Sequence, residues 1–216
     1  MRQLRDFIYL NPSSERVERK FILNNNQIIS ADIALRKIGF KKIFPNRNIE
    51  SVYFDDLNQS CIRDNIDGQN SRDKLRIRYY NKDMKNFSIE TKHKRGFLVY
   101  KTSNKILNEE DNLDNILNLT NNWCKQHIKE ILLPSALINY NRQYFIKGLI
   151  RATIDTKIRG FRKIGKNFLS SSPHTYAVVE FKYPKGLDNE FRNAKYYKYF
   201  ALRNTKCSKY TKSLVN

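Results

Sequence analysis

The sequence predicts a single α+β domain built around an antiparallel β-sheet, and three observations support this prediction. The chain has 216 residues, the length of one domain with a substantial core. Seven segments are rich in β-prone residues, and most of them alternate apolar and polar residues with period two, which is typical of half-buried strands. Amphipathic helical segments fill the intervals, and no repeat, low-complexity tract or linker divides the chain. We therefore expect residues 1–216 to form one domain.

The alternation of apolar and polar residues predicts seven strands. It is clearest in Lys74–Tyr80, where the sequence K-L-R-I-R-Y-Y places three basic side chains on the face opposite Leu75 and Ile77. The fifth strand is expected to return against the fourth through a hairpin at Arg95-Gly96. In chain order, the predicted strands are Arg16–Ile22, Ser51–Phe54, Lys74–Tyr80, Phe87–Lys94, Phe97–Thr102, Ile150–Ile158 and Tyr176–Tyr183.

Four segments between these strands are predicted as helices. Gly39 provides a C-terminal cap for the first, acidic residues favour the start of the second, and Pro134 ends the third. The fourth places Phe191, Ala194 and Tyr197 at helical spacing. The predicted helices are Ile28–Ile38, Glu109–Leu119, Trp123–Leu133 and Leu187–Leu202.

The charge of the chain favours a polyanionic partner. Lysine and arginine number 41 against 21 aspartates and glutamates, so the formal net charge is +20 and the isoelectric point is near 9.9. Hydrophobic residues make up 40% of the chain and charged residues 29%, a composition that folds rather than stays disordered. Nucleic acid, anionic lipid and phosphate-rich small molecules are the classes of partner that such an excess of positive charge attracts.

The cysteines and the apolar segments bear on the cell compartment. Cys61, Cys124 and Cys207 are scattered and form no C-x-x-C pair, which argues against a disulfide framework and against structural zinc. Residues 1–20 have no signal-peptide pattern, and no run of about 18 apolar residues is present to span a membrane. We therefore expect a cytoplasmic protein with free thiols.

Two arrangements of the charged strand faces are compatible with this pattern. An open antiparallel sheet would turn the charged face to solvent, whereas a closed barrel would turn it inward and leave the apolar face for the helices to cover. The charged faces are almost purely ionic, and the helices carry apolar stripes that need a sheet to pack on. Both observations favour the closed barrel.

A barrel interior lined by cations requires compensation. Two cations about 6 Å apart repel by roughly 3 kcal/mol at an effective dielectric constant of about 20. Carboxylates and water offset part of this repulsion, and a bound linear polyanion such as a chain of phosphates offsets it most effectively. The few interior carboxylates would then hold a divalent cation against the phosphate oxygens, which is the usual mode of magnesium binding.

Eight short segments distributed along the chain resemble one known family. They are E-R-K-F at 18–21, S-V-Y-F-D at 51–55, K-L-R-I-R-Y-Y at 74–80, E-T-K at 90–92, Y-N-R at 140–142, R-A-T-I-D at 151–155, V-E-F-K at 179–182 and S-K-Y at 208–210. In this order they resemble the VTC domain of polyphosphate polymerases, which belongs to the triphosphate tunnel metalloenzyme (CYTH-like) superfamily. The resemblance runs from about residue 16 to 211. It implies a closed antiparallel tunnel of eight strands with helices packed on the outside.

The resemblance also implies roles for individual residues at the matching positions. The arginines that would grip the reacting phosphates, as catalytic residues, are Arg76, Arg78, Arg142 and Arg151. The lysines that would bind the substrate chain are Lys20, Lys92, Lys101, Lys182 and Lys209. Glu180 matches the metal-binding glutamate, with Glu18 as its companion, and the expected cofactor is Mn²⁺ or Mg²⁺. Glu90 and Asp155 match supporting positions that face the tunnel.

These matches imply a metal-dependent polyphosphate polymerase. Such a phosphotransferase moves the terminal phosphate of a nucleoside triphosphate, expected to be ATP, onto a growing polyphosphate chain. Arg16 stands where the wider superfamily often has the first glutamate of an E-x-E-x-K pattern, and this departure favours the polymerase branch over the triphosphatase branch. A tri- or polyphosphatase on the same fold is the alternative enzyme, because water could replace the phosphate acceptor.

Other partners and motifs are weaker candidates. A non-catalytic module that binds polyphosphate or nucleic acid would use the same charge, but nucleic-acid binding needs exposed stacking aromatics, for which the candidates are Tyr79, Tyr80, Tyr196 and Tyr197. No nucleic-acid partner is expected. The G-x-x-x-x-G-K run at 160–166 lacks the serine or threonine of a P-loop and a helix to follow it. To work at the inner face of a membrane, the chain would need a separate membrane protein as its partner.

Overall fold

The computed structural model describes residues 16–24, 26–95, 98–128, 131–170, 176–194 and 207–215. Within these ranges the chain forms one antiparallel sheet of nine strands, five α-helices and one 3-10 helix. The predicted α+β class with an antiparallel sheet is therefore confirmed.

Most strands are long and most helices are short. The strands are β1 (Arg16–Asn24), β2 (Lys41–Asp55), β3 (Ser71–Tyr80), β4 (Asp83–Arg95), β5 (Leu98–Leu107), β6 (Leu133–Lys147), β7 (Ile150–Ile164), β8 (Asn167–Ser170) and β9 (Tyr176–Pro184). The helices are α1 (Gln27–Lys37), α2 (Ser60–Ile66), α3 (Leu113–His127), the 3-10 helix Lys185–Leu187, α4 (Asp188–Asn193) and α5 (Lys209–Val215).

The sheet bends round so that its concave face forms an interior. Its hydrogen-bonded strands follow the order β1-β9-β7-β6-β2-β3-β4-β5, with β8 paired to β7. Among the described residues no backbone ladder joins the two edge strands, β1 and β5. Side chains connect the two sides of the sheet, because Lys92 on β4, the strand next to β5, contacts Glu18 on β1 across the interior. The tunnel expected with eight strands is thus a strongly curved sheet of nine, which no ladder among the described residues closes, with an ion pair between β4 and β1 across its interior.

All seven predicted strands coincide with parts of observed strands. Residues 96 and 97, at the predicted hairpin and the start of the fifth strand, lie outside the described ranges. β2 begins well before the predicted Ser51–Phe54, and β7 continues beyond Ile158. The sequence pattern did not predict β6, β8 or α2. The glycine-rich run at 160–166 forms the end of β7 and a tight turn into β8, not a phosphate-binding loop before a helix.

The first predicted helix and its cap are confirmed. α1 is followed by Gly39, which adopts a φ of +90° that favours glycine, and its N–H donates to the carbonyl of Arg36 at 3.0 Å. Within the last predicted helix, α4 ends at Asn193 with Ala194 as its C-cap, and residues 195–206 lie outside the described ranges.

The two helices predicted over 109–119 and 123–133 are wrong as separate elements. They form one continuous helix, α3, whose N-cap is Asn112, with its side chain accepting from the N–H groups of Asp114 and Asn115. The chain beyond α3 turns into β6 at Leu133 instead of ending a helix there. No helix in the described part of the chain is both long and apolar enough to cross a bilayer.

Helices cover the convex face of the sheet with two apolar clusters. The first packs α1 and α4 onto β1, β6, β7 and β9 and includes the fully buried Leu35 and Phe181. The second packs α3 onto β2, β3 and β4 and includes the fully buried Ile77 and Ile116. Each such side chain contributes about 1.5–3 kcal/mol of burial free energy. The apolar strand faces therefore point outward under the helices, which leaves the ionic faces for the interior.

A third apolar cluster fills one end of the interior, and we call α5 with this cluster the plug. The ring of Tyr210 on α5 packs with Ile138 and Ile158 and stacks on Tyr53 at a centroid distance of 4.9 Å. Its hydroxyl donates to Asp55 Oδ2 at 2.6 Å. The same carboxylate accepts two backbone N–H groups at the start of α2. One buried carboxylate at the end of β2 thus fastens both helices of the plug end.

Candidate functional site

Alternate residues on seven strands place ionic side chains on the concave face, and the start of α5 adds one more. Cross-strand partners such as Lys20 and Glu180 stand side by side on this face. We define the ionic cluster as four carboxylates and ten cations: Glu18, Glu90, Asp155 and Glu180 with Lys20, Lys74, Arg76, Arg78, Lys92, Lys101, Arg142, Arg151, Lys182 and Lys209. All eleven residues of the sequence-predicted site belong to this cluster, so the fold brings them together.

Glu90 on β4 organises the cations of β3 and β5. Its Oε2 lies 2.7 Å from Arg76 Nη2 and 3.9 Å from Arg78 Nη1, and its Oε1 lies 2.8 Å from Lys101 Nζ. Burial alone would raise the pKa of Glu90, but these three cations hold it well below its usual range. Arg78 is held further by Tyr140, whose hydroxyl accepts from Nη2 at 3.1 Å. The two arginines are therefore fixed as a pair rather than free to swing.

Asp155 on β7 ties the arginine of β6 to the helix of the plug. Its side chain has no solvent exposure and accepts from Arg142 Nε at 2.6 Å and Nη2 at 2.7 Å. Lys209 at the start of α5 donates to the same carboxylate at 2.6 Å. The pKa of Asp155 is lowered by Arg142 and Lys209 against the effect of burial. The bidentate contact orients the guanidinium of Arg142 within the interior.

Glu18 and Glu180, the two predicted metal ligands, share one lysine. Lys182 Nζ lies 3.1 Å from Glu18 Oε1 and 3.6 Å from Glu180 Oε2. Lys92 completes the pairing of Glu18 at 2.8 Å, and Lys20 lies 3.6 Å from Glu180. Burial would raise the pKa of Glu180, but Lys182 and Lys20 hold it well below its usual range. Both carboxylates are therefore ionised at neutral pH and face each other across an ammonium group.

Arg151 differs from the other predicted arginines because no carboxylate pairs with it in the described part of the chain. Its cross-strand partner on β9 is a cation, Lys182. Burial, followed by the nearby Arg16, lowers the pKa of Arg151. A guanidinium in this setting is stabilised by an anion, which makes Arg151 a natural phosphate contact.

Two residues that sequence reasoning left out of the site belong to it. Lys74 Nζ donates to Asn65 Oδ1 at 2.8 Å, and burial lowers the pKa of Lys74 to about 8. Tyr53 accepts from Arg76 Nη1 at 2.9 Å; burial would raise its pKa, but Arg76, Arg78 and Lys74 lower it to about 7. A phenol that ionises this readily indicates a strongly positive interior. Lys74 was detectable, since it shares a strand face with Arg76 and Arg78.

The donor set fits a divalent cation that arrives with phosphate. No group of three or more histidine, cysteine, aspartate or glutamate side chains converges in the described ranges, so a cage made by protein ligands alone is not present there. Glu18 and Glu180 supply two ionised carboxylates on one face, already bridged by a cation, the ammonium of Lys182. Magnesium typically binds one or two carboxylates and completes its shell with water and substrate phosphates. These two glutamates are the residues that would hold such an ion.

The family model of the VTC domain matches residues 15–215. This chain belongs to the VTC domain family. The match spans all eight segments that carry the resemblance described above and therefore covers every residue of the ionic cluster. No curated protein matches the VTC-domain chain significantly.

Solved structures with the tunnel fold share the architecture of this VTC domain at low sequence identity. A proposed adenylate cyclase from Bacillus halodurans has a TM-score of 0.60 and 11% identity, over 94% of this chain and 98% of the other. A proposed adenylate cyclase from Vibrio parahaemolyticus has a TM-score of 0.59 and 14% identity, over 94% and 99%. A proposed adenylyl cyclase from Hippeastrum with a dominant triphosphatase activity has a TM-score of 0.51 and 10% identity, over 92% and 94%. At these identities the likeness shows the fold.

Proposed function

We propose that this VTC domain is a metal-dependent polyphosphate polymerase that transfers the terminal phosphate of a nucleoside triphosphate, in the first instance ATP, to a polyphosphate chain in the interior. The observation that carries the proposal is the excess of positive charge there, ten cations against four carboxylates in the ionic cluster. The carboxylates orient the cations but leave most of their charge uncompensated. A linear polyanion supplies the missing charge along the length of the interior.

The arginines would act by position and charge. During transfer, an oxygen of the acceptor phosphate forms a bond to the γ-phosphorus while the bond from that phosphorus to the β–γ bridging oxygen breaks, leaving a nucleoside diphosphate. Catalysis of this exchange rests mainly on positioning and on neutralising charge. Arg76 and Arg142, each oriented by a buried carboxylate, present N–H forks that match phosphate oxygens. The acceptor is itself an anion at neutral pH, so no general base is needed.

The lysines would bind the substrate chain, and the glutamates would bind the metal. Lys20, Lys92 and Lys209 reach the interior from three different elements and spread positive potential along the bound chain. Glu180 and Glu18 would hold Mn²⁺ or Mg²⁺. The chemistry that such an ion would supply there is positive charge to offset the charge that develops on the leaving group.

A triphosphatase is the second candidate function. The triphosphatase activity of the Hippeastrum protein, which has the same fold, favours it, and water would then take the place of the acceptor phosphate. Arg16 argues for the polymerase, because β1 carries a single interior carboxylate, Glu18, where a triphosphatase site would share metal binding among several. Nucleic acid is a poorer substrate for this surface, since the stacking candidate Tyr79 is buried in the convex core and the ring of Tyr80 lies under the guanidinium of Arg47. The other two candidates, Tyr196 and Tyr197, lie outside the described residues.

The products of ATP decide between these functions. The purified chain is incubated with ATP and either Mn²⁺ or Mg²⁺, and the products are resolved on a gel that separates polyphosphate by length. Long chains that disappear on treatment with a polyphosphatase support the polymerase. Free phosphate without long chains identifies a triphosphatase instead, and ATP that stays intact in the presence of added polyphosphate primer contradicts both.

If the chain works at the inner face of a membrane, we propose that a separate membrane protein attaches it there.

A further inference from the structure

Arg47 on β2 is held by three aromatic rings instead of a carboxylate. Its guanidinium carbon lies 5.3 Å from the ring centroid of Phe44 and 5.7 Å from those of Tyr80 and Tyr144. No hydrogen-bond acceptor or carboxylate partner of Arg47 is found within the described ranges. Arg19, Arg76 and Arg142 each pair with an aspartate or glutamate. Aromatic faces fix the position of a guanidinium but accept few of its N–H bonds, so the charge and the donors of Arg47 remain available.

Arg47 lies on the interior face of β2, eight residues before Asp55, the carboxylate that accepts from Tyr210 of the plug. Alternate residues of β2 face the interior, where Ser51 accepts from Arg78, Tyr53 accepts from Arg76, and Asp55 accepts from the plug. No register shift separates Arg47 from Ser51 in the pairing with β6, so Arg47 points to the same side. The eight residue-to-residue steps from Arg47 to Asp55 span about 27 Å at about 3.4 Å per step. Arg47 is therefore well separated from the carboxylate that fastens α5 and stands level with Arg142 in the ladder.

The neighbour of Arg47 across the ladder is also an arginine. Arg47 and Arg142 are direct cross-strand partners of β2 and β6, a geometry that places Cβ atoms about 4.5–5.5 Å apart and is unfavourable for like charges. Arg142 is paired with Asp155 on its other side, but Arg47 gains no share of that carboxylate. A single anion seated between the two guanidinium groups would relieve the repulsion and satisfy the free donors of Arg47.

We propose that Arg47 and the three aromatic rings around it form an additional phosphate-binding subsite beside Arg142, where they hold the part of a polyphosphate chain that extends past the arginines that grip the triphosphate. This inference rests on the proposed function, because it assigns a second position to the same linear substrate. Phosphate is the ligand class rather than a nucleobase, because the guanidinium already occupies the ring faces of Phe44, Tyr80 and Tyr144 that it lies over, whereas its N–H donors are free.

Chain length is the variable that tests this subsite. Calorimetric affinities are measured for tripolyphosphate and for a long polyphosphate of defined length with the unmodified chain, Arg47→Gln and Arg47→Lys. Arg159→Gln, which removes an exposed arginine of β7, controls for net charge, and melting curves confirm that each variant folds. We expect Arg47→Gln to weaken long polyphosphate about tenfold, the size of one charge-assisted contact, and to change tripolyphosphate binding less than twofold. The affinity of Arg47→Lys for long polyphosphate should lie between those of the unmodified chain and Arg47→Gln, because lysine keeps the positive charge but not the two-pronged N–H donors of the guanidinium.

The outcomes separate the subsite from the function. Equal affinities of Arg47→Gln and the unmodified chain for long polyphosphate would overturn the subsite and leave the proposed function standing. An equal loss for both ligands would also overturn it, because Arg47 would then belong to the triphosphate centre. Failure of the unmodified chain to bind polyphosphate of either length would instead contradict both the proposed function and the subsite.

Discussion

Lys92 Nζ on β4 lies 2.8 Å from Glu18 Oε2 on β1, although β1 is the first strand in the sheet order and β4 is the seventh. Two strands so far apart in the order can share an ion pair only if the sheet curls back on itself. The pair therefore marks the enclosed interior on which the functional proposal depends. It also joins residues that are 74 positions apart in the sequence.

Tripolyphosphate is expected to raise the melting temperature of the chain markedly. The cations of the ionic cluster outnumber its carboxylates, so a ligand that supplies negative charge binds the folded state and stabilises it by mass action, by about 2.7 kcal/mol at one hundred times the dissociation constant. The measurement is a thermal melt at increasing ligand concentration. An equal rise with sodium sulfate at matched ionic strength, or no rise at millimolar tripolyphosphate, would contradict the prediction.

Tyr53 is expected to ionise far below the other tyrosines. Its pKa in the folded chain is about 7, whereas an unfolded tyrosine ionises near pH 10. Because the folded pKa is lowered, the stability that ionised Tyr53 contributes is absent below about pH 7, grows as the pH rises, and is complete above about pH 10. The stability difference between the unmodified chain and Tyr53→Phe should therefore widen from pH 7 to pH 10.

Ultraviolet absorbance of tyrosinate checks the same group directly. One of the 13 tyrosines should titrate near neutral pH, and Tyr53→Phe should remove that step. Bound tripolyphosphate should move the step to higher pH because it offsets the cations that lower the pKa. A constant stability difference across this pH range, with no neutral titration step, would show that the interior is less positive than the structure implies.

Glu180→Gln is expected to abolish metal-dependent turnover while largely preserving polyanion binding. The substitution removes one of two carboxylates available to a divalent ion, but it leaves Lys20, Lys182 and Arg142 in place and frees them from a counter-ion. Turnover of ATP and the affinity for tripolyphosphate are measured side by side. Glu190→Gln on α4, an exposed position outside the cluster, serves as the matched control. Equal loss of turnover and binding in a folded Glu180→Gln chain would refute the metal role.

Tyr210→Phe is expected to destabilise the fold by about 1.5–3 kcal/mol. The substitution keeps the stacked ring but removes the hydroxyl that donates to the buried Asp55 at 2.6 Å, and a hydrogen bond to a charged group has this value. Chemical denaturation gives the free energy of unfolding. Tyr100→Phe, at a partly exposed ring on β5, is the control and should change stability little. A Tyr210→Phe chain as stable as the control would mean that Asp55 does not fasten the plug.

Most of the strands that the sequence pattern predicted have one buried apolar face and one ionic face. Their period-two pattern survives because the convex face is covered by helices and the concave face is ionic, as in Lys74–Tyr80. The sequence pattern did not predict β6 because both of its faces carry buried apolar residues. Ile138 packs into the plug on the inner face and Phe145 into the convex core on the outer face, so apolar and polar residues do not alternate. The early part of β2 was hidden by register shifts on either side of Phe44.

The sequence predicted which residues belong to the site, but it did not predict which of them contact each other. Residue types and order along the chain placed Arg142 and Asp155 among the candidates, yet only the register of β6 and β7 shows that they form one bidentate pair. Tyr53 was hidden for a similar reason, since an isolated tyrosine in an apolar strand looks like a core residue until Arg76 is placed against its hydroxyl. Such contacts depend on strand order, which a single sequence does not contain.

A crystal structure of the chain with tripolyphosphate and Mn²⁺ would show whether the ionic cluster encloses a phosphate chain. We expect a phosphate chain inside the curved sheet, with its oxygens about 3 Å from the guanidinium nitrogens of Arg76, Arg78 and Arg142 and the metal on Glu180. Tripolyphosphate bound only on the outer surface, with the ion pairs of the ionic cluster unchanged, would contradict this expectation.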